Sequence, residues 1–169
     1  MKDITHQQFI QSSENFITAL ELFTQENFNI KPFDKSWSAA QVAEHIFLSV
    51  KGLPQLFEMP TTEQPRDYAQ HLDTLRKIFL NFDVKLDAPA FIIPSDKDQD
   101  KTSLVESLRN SFKEIETAVN TKDLTQVIAD VPFPTIGPMS RYEWVWFTIF
   151  HLQRHTKQLH EIHRFVTNE

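Results

Sequence analysis

The sequence predicts an all-α fold, a four-helix bundle in one domain spanning residues 1–169, and three observations lead there. Four segments open with Ser or Thr followed three residues later by Gln or Glu, each ahead of apolar residues at helical spacing. The prolines gather between those segments rather than inside them. No stretch alternates apolar and polar residues over more than a few positions, so no strand is expected.

The elements follow in order. Thr5 and Gln8 open a first helix over about residues 5–27, with Phe9, Ile10, Phe16, Ile17, Leu20 and Phe23 on one face. Ser38 and Gln41 open a second over about residues 39–51, stopped by Gly52 and Pro54. An additional helical segment is expected between helices two and three, over about residues 66–82, carried by Leu72, Leu75, Ile78, Phe79 and Phe82. Residues 88–101, with Pro89 and Pro94, read as a loop with a charged, exposed tip. Ser103 and Glu106 open a third long helix to about Asn120, followed by a short helical turn around residues 124–128. Pro132, Pro134 and Pro138 then make an extended connector to a last helix, opened by Ser140 and Glu143 and running to about Val166. In three of these boxes a hydrophobic residue ahead of the cap is placed to staple onto the first turn: Ile4 to Phe9, Trp37 to Val42, Met139 to Trp144.

Composition excludes several kinds of function. Net charge is −6 with no run of Lys or Arg, which disfavours nucleic-acid binding through a basic face. There is no cysteine, so disulfides, thiolate metal ligands and cysteine nucleophiles are ruled out. Two glycines, Gly52 and Gly137, are poor material for a phosphate-cradling loop. Residues 1–10 are polar and no run approaches a membrane span, so no membrane association and a cytoplasmic location are expected. The 15 phenylalanines and three tryptophans call for a bulky aromatic core.

One constellation carries chemistry. His151 and His155 are spaced i and i+4, about 40° apart on one helical face, so two imidazoles can converge on one ion. His45, on the amphipathic second helix, is the natural third ligand, since a histidine on a core face needs a partner. His160 falls roughly opposite His151 and belongs on the surface. Leu152 stands where the zinc proteases of the HExxH type carry their glutamate, so that general base is missing. Three neutral nitrogens would leave a coordination position for water or substrate. Spacing alone leaves the plainer reading open, in which these are hydrogen-bonded core histidines. The stripe Trp144, Trp146, Phe147 and Phe150 reads as core, covering more than one face of its helix.

Two segments resemble a known family. Trp37 followed by the capping Ser38 and, further along the helix, His45 is similar to the second-helix signature of DinB/YfiT-like proteins. The run from Trp144 through His151, Arg154, His155 and Gln158 is similar to that family's closing motif, and the connector with Pro132, Gly137 and Ser140 to its entry. The resemblance implies an up-down-down-up four-helix bundle, often a homodimer. It also implies a divalent metal, usually nickel or zinc, with manganese or iron as alternatives, held by one histidine of the second helix and two of the last: here His45, His151 and His155. Some relatives are thiol-dependent transferases using bacillithiol or mycothiol, and others are hydrolase-like. The expected function is a metal-dependent thiol transferase acting on a small molecule, with a low-molecular-weight thiol as cosubstrate. The alternative is a non-enzymatic dimeric bundle that binds a small molecule or a protein, its histidine site vestigial.

Overall fold

The computed structural model describes residues 2–62 and 66–167. It is mainly helical: α1 Lys2–Glu21, α2 Gln25–Phe28, α3 Ala39–Val50, α4 Leu53–Phe57, α5 Leu72–Phe79, α6 Lys101–Thr121 and α7 Arg141–Thr167, with one 3-10 turn at Ala90–Ile92. The all-α expectation needs correcting, because β1 Thr61–Thr62, β2 Val127–Phe133 and β3 Gly137–Ser140 form a small antiparallel sheet in the order β1-β2-β3. Among the four longer helices, α1 packs on α6 and α7, and α3 packs on the same two.

The core fills the space between them with Phe9, Phe16, Ile17, Leu20 and Phe23 of the N-terminal segment against Leu108, Phe112 and Ile115 of α6. Phe9 and Phe16 each meet Phe112 edge-on, at 6.2 and 6.5 Å between ring centres, which suits the quadrupoles of the rings. Ile10, expected inside, is only half-buried.

Two expected capping boxes close as drawn. Ser38 Oγ accepts from Gln41 N and Gln41 Oε1 accepts from Ser38 N, both at 3.2 Å. Ser140 Oγ accepts from Glu143 N at 3.0 Å, and Glu143 Oε2 accepts from Ser140 N at 2.8 Å. The Glu143 carboxylate also takes Arg66 Nη2 at 2.6 Å and the His71 backbone N–H at 2.6 Å. This fully buried carboxylate therefore binds the approach to α5 onto the start of α7, and so sets α5 beside the last helix.

The other two boxes fail for identifiable reasons. α1 begins at Lys2, so Thr5 lies inside it, and Ile4 is 61% exposed rather than stapled to Phe9. The N-cap of α6 is Asp100, whose carboxylate accepts from Ser103 N at 2.8 Å, and the helix starts before Ser103. The first helix also ends early. Thr24 caps a separate turn, Gln25–Phe28, in a box with Asn27, because its side chain offers the backbone an alternative to continuing α1. Gly52 and Pro54 end α3 but start α4, where Pro54 occupies the first turn and loses no helical bond. The segment between helices two and three is helical only over Leu72–Phe79, and Phe82 lies beyond it, exposed.

Of the helical turn expected around residues 124–128 only a turn at 124–125 forms before β2 begins at Val127, and the proline-rich connector is a β-hairpin. Pro132 pairs with Pro138 and Phe133 with Gly137, past a bulge and beyond the reach of β1, where absent N–H groups break no ladder. At the tip Ile136 N donates to Phe133 O, with Pro134 second and Thr135 third at φ 65°, the pattern of a type II turn. Gly137 follows at φ 99°, a conformation that disfavours any side chain.

Candidate metal centre

The cap at Ser38 fixes the phase of α3, and His45 follows two turns later on the face that carries Val42 and Ile46 into the core. The cap at Ser140 does the same for α7, placing His151 and His155 inward with Phe147, Leu152 and Leu159. The packing of α3 on α7 brings the three imidazoles together. His45 Nε2 and His155 Nε2 each lie 3.0 Å from His151 Nε2, and all three ring nitrogens fall within 4.8 Å of one another. The three residues are 3%, 5% and 7% exposed. His160 is on the surface, as its phase requires, and His163 sits on the flank against Phe23.

The outer nitrogens are held. His45 Nδ1–H donates to the carbonyl of Ile92 at 2.8 Å, and His155 Nδ1–H donates to Gln158 Oε1 at 2.7 Å. Both bonds fix the tautomer in which Nε2 carries a lone pair toward the centre. His151 Nε2 therefore faces two lone pairs at 3.0 Å, and its single proton satisfies at most one of them. A cation accepted by all three nitrogens satisfies the whole cluster, and three imidazoles suit the divalent ions of the nickel and zinc type. The donor set thus fits a metal.

The electrostatics agree. Burial pushes His151 well below the ordinary histidine range, helped by His155, His45 and Arg154 nearby. Burial, with His45 beside it, lowers His155 to about 3, against the opposing bond to Gln158. His45 is also lowered by burial, partly offset by the bond to Ile92. All three are held neutral at physiological pH, the form in which imidazole ligates.

Aromatic rings surround the cluster. Trp37 lies 4.9 Å from His45 and stacks at 6.4 Å on His155. Phe147 stacks on His151 at 5.2 Å, and Phe79 meets His151 edge-on at 5.8 Å. Arg154, between the two ligands of α7, donates to the carbonyls of Phe79, Asn81 and Val84, fixing the chain beyond α5 that carries Phe79 over His151. No carboxylate belongs to the cluster among the described residues.

Gln158 is at the centre but is bonded to His155. Gln41 caps α3 and donates to Ser95 O and Asp96, and Thr148 donates to Trp144 O within its own helix. Sequence reasoning missed the Ile92 carbonyl, since a backbone acceptor in a loop leaves no side-chain signal. It also assigned Trp37 a stapling role and gave Phe79 only a place in a helix.

No curated protein matches the chain. Among solved structures it is similar to a conserved protein from Enterococcus faecalis, with 14% identity, a TM-score of 0.63, and coverage of 100% of this chain and 98% of that one. At that identity the likeness speaks for the fold alone. The family model of the DinB superfamily matches residues 8–159, nearly the whole chain, and places the histidines of both helices inside the match. The chain belongs to the DinB superfamily.

Proposed function

We propose that this protein binds a divalent metal through His45, His151 and His155 and works as a transferase joining a low-molecular-weight thiol to a small electrophile. The observation that carries the metal reading is the convergence of three buried Nε2 atoms, two of them with their Nδ1 protons committed to Ile92 and Gln158. A divalent ion held there supplies Lewis-acid chemistry, lowering the pKa of a thiol or water that reaches it. Nickel or zinc is the expected metal, with manganese or iron as alternatives.

The chain's own residues favour a thiol over water. Among the described residues no carboxylate stands at the cluster to take a proton from water, and Leu152 occupies the place of the glutamate that does so in zinc proteases. A thiol needs less help, because its own pKa is closer to neutral. The chain has no cysteine, so the sulfur comes from the cosubstrate. The transfer forms a bond from that sulfur to an electrophilic carbon, and the thiol proton ends on the leaving group or on the oxygen of an opened ring. The chain's part is to hold the ligands neutral, exclude water and orient the reactants.

A homodimeric, cytoplasmic protein with the four longer helices in up-down-down-up order completes the reading. It draws support from family membership and from the pairing of α1 and α3 with both α6 and α7. The described residues contain no helix long and apolar enough to cross a membrane.

The test uses the full chain loaded with nickel, zinc or manganese, a generic electrophile, and bacillithiol, glutathione and simpler thiols in turn. Turnover requiring both metal and thiol, and lost in His151→Ala, is the expected result. A rate no higher than the metal-free control in every combination leaves a metal-binding protein without this activity.

A further inference from the structure

Among the described residues, every aromatic ring packed on the three imidazoles apart from the imidazoles themselves is that of Trp37, Phe79 or Phe147. Phe147 is buried, with its face on His151 at 5.2 Å and 20°. Phe79 and Trp37 are half-buried, so each reaches from a buried imidazole to the surface. Trp37 spans two ligands, lying 4.9 Å from His45 and 6.4 Å from His155, the second at an interplanar angle of 19°. Its place is set by the neighbouring Ser38, whose side chain caps α3.

The polar groups at the centre are already committed. The Ile92 carbonyl and Gln158 Oε1 each accept from a histidine. The nearest cation, Arg154, has its guanidinium on three backbone carbonyls. Beyond the ion itself and the Trp37 indole N–H, a carboxylate or phosphate brought against the triad would meet no donor among these side chains, and would lose most of its water for little return. An apolar ring would meet three aromatic surfaces.

We propose that Trp37 and Phe79 are specificity-determining residues that select a reactant with an uncharged, apolar or aromatic group directly beside its reacting atom. This inference rests on the metal reading above and names the class of molecule that site takes. Charge further along the molecule is not restricted by it.

Cobalt(II) replaces the native ion as a spectroscopic probe, and its visible absorption reports thiol binding without turnover. Full-length protein loaded with cobalt is titrated with benzyl mercaptan and with mercaptoacetate, which carries its carboxylate next to the thiol carbon. The ratio of the two affinities is then compared between wild type and variants, so that intrinsic differences between the thiols cancel. In Trp37→Ala the preference for benzyl mercaptan should fall about tenfold with cobalt still bound, and Trp37→Phe should keep most of it. Phe79→Ala, on the other side of the triad, should shift the ratio in the same direction and serves if the Trp37 variant does not fold. Cobalt bound with an unchanged ratio in the folded variants overturns the inference and leaves the metal site standing. Failure of wild type to bind cobalt, nickel or zinc removes the metal reading and this inference with it.

Discussion

Gln158 Oε1 accepts the Nδ1 proton of His155 at 2.7 Å, one helical turn further along α7, and thereby points the His155 lone pair at the other two histidines. Such an outer partner fixes both the tautomer and the ring orientation of a ligand. Gln158→Leu keeps the volume and removes the acceptor. We expect zinc or nickel affinity to fall about 10–100-fold while the metal-free protein unfolds near its original midpoint. Competition titration against a chelating indicator measures the first and thermal melting the second. An unchanged affinity would show that the bond to Gln158 does not orient His155.

Metal binding to the folded state alone should stabilise it. At a free concentration of about 100 times Kd the gain is about 2.7 kcal/mol, which for a chain of this length is roughly 5–11 °C in melting temperature. His155→Ala should lose that gain and still fold, because its neighbours Trp37 and Gln158 are half-exposed and can let water fill the space. Differential scanning with nickel and with zinc decides. The same rise in wild type and variant would sink the three-histidine site.

The parts that hold this site were the most legible in the sequence. Two capping boxes, Ser38–Gln41 and Ser140–Glu143, are local devices readable from four residues each, and they set the phase of the two helices that carry the ligands. Once phase is known, His45, His151 and His155 face inward and His160 faces out. The Thr5 and Ser103 boxes share the same pattern, yet α1 already runs from Lys2 and α6 from Lys101, capped by Asp100. At α6 a carboxylate cap three residues upstream wins, and Asp100 looked like the end of a charged loop.

The hairpin was illegible for a different reason. Its strands contain Pro132 and Pro138, and the pairing of Thr61 and Thr62 with residues 128 and 127 joins segments more than 60 positions apart. Neither local propensity nor period reveals such a contact. The turn at Pro134–Thr135 places a β-branched residue where glycine is usual, so the common turn signal was absent too. Likewise Ile92 reaches His45 across 47 residues through its backbone, which no side-chain pattern encodes.

Glu143 offers a test of the scaffold apart from the metal. Its carboxylate is fully buried and receives Arg66, the His71 backbone N–H and the Ser140 backbone N–H. Glu143→Ala leaves those donors and a charge without a partner, which costs about 3–5 kcal/mol. Glu143→Gln keeps the shape but loses the ion pair and should cost less. Urea denaturation of the metal-free protein reads both. A loss below about 1 kcal/mol for the alanine variant would mean that α5 is held to α7 by packing alone.

The pH dependence follows from the lowered histidines. In the unfolded chain each protonates near 6.5, whereas in the folded, metal-free protein His155 does so only at about 3 and His151 is also held well below its usual range by burial. Between those limits the unfolded state binds more protons, so stability rises with pH. It is fully present above about 6.5 and is lost progressively as the pH falls toward 3, by up to about 1.4 kcal/mol per pH unit for each such histidine. Carboxylates titrate mainly below about 5, so the interval from 6.5 to 5 isolates the histidines. Within it, urea unfolding in the presence of a chelator should give a slope that flattens by about one proton in His155→Gln. Across the same interval the stabilisation by zinc should fall less steeply than at a site of exposed histidines, since His151 and His155 stay unprotonated whether or not zinc is bound. A zinc gain that collapses near pH 6.5, or a variant whose slope matches wild type, would show that His155 titrates as an exposed histidine and that the cluster is not the closed, neutral set of ligands described above.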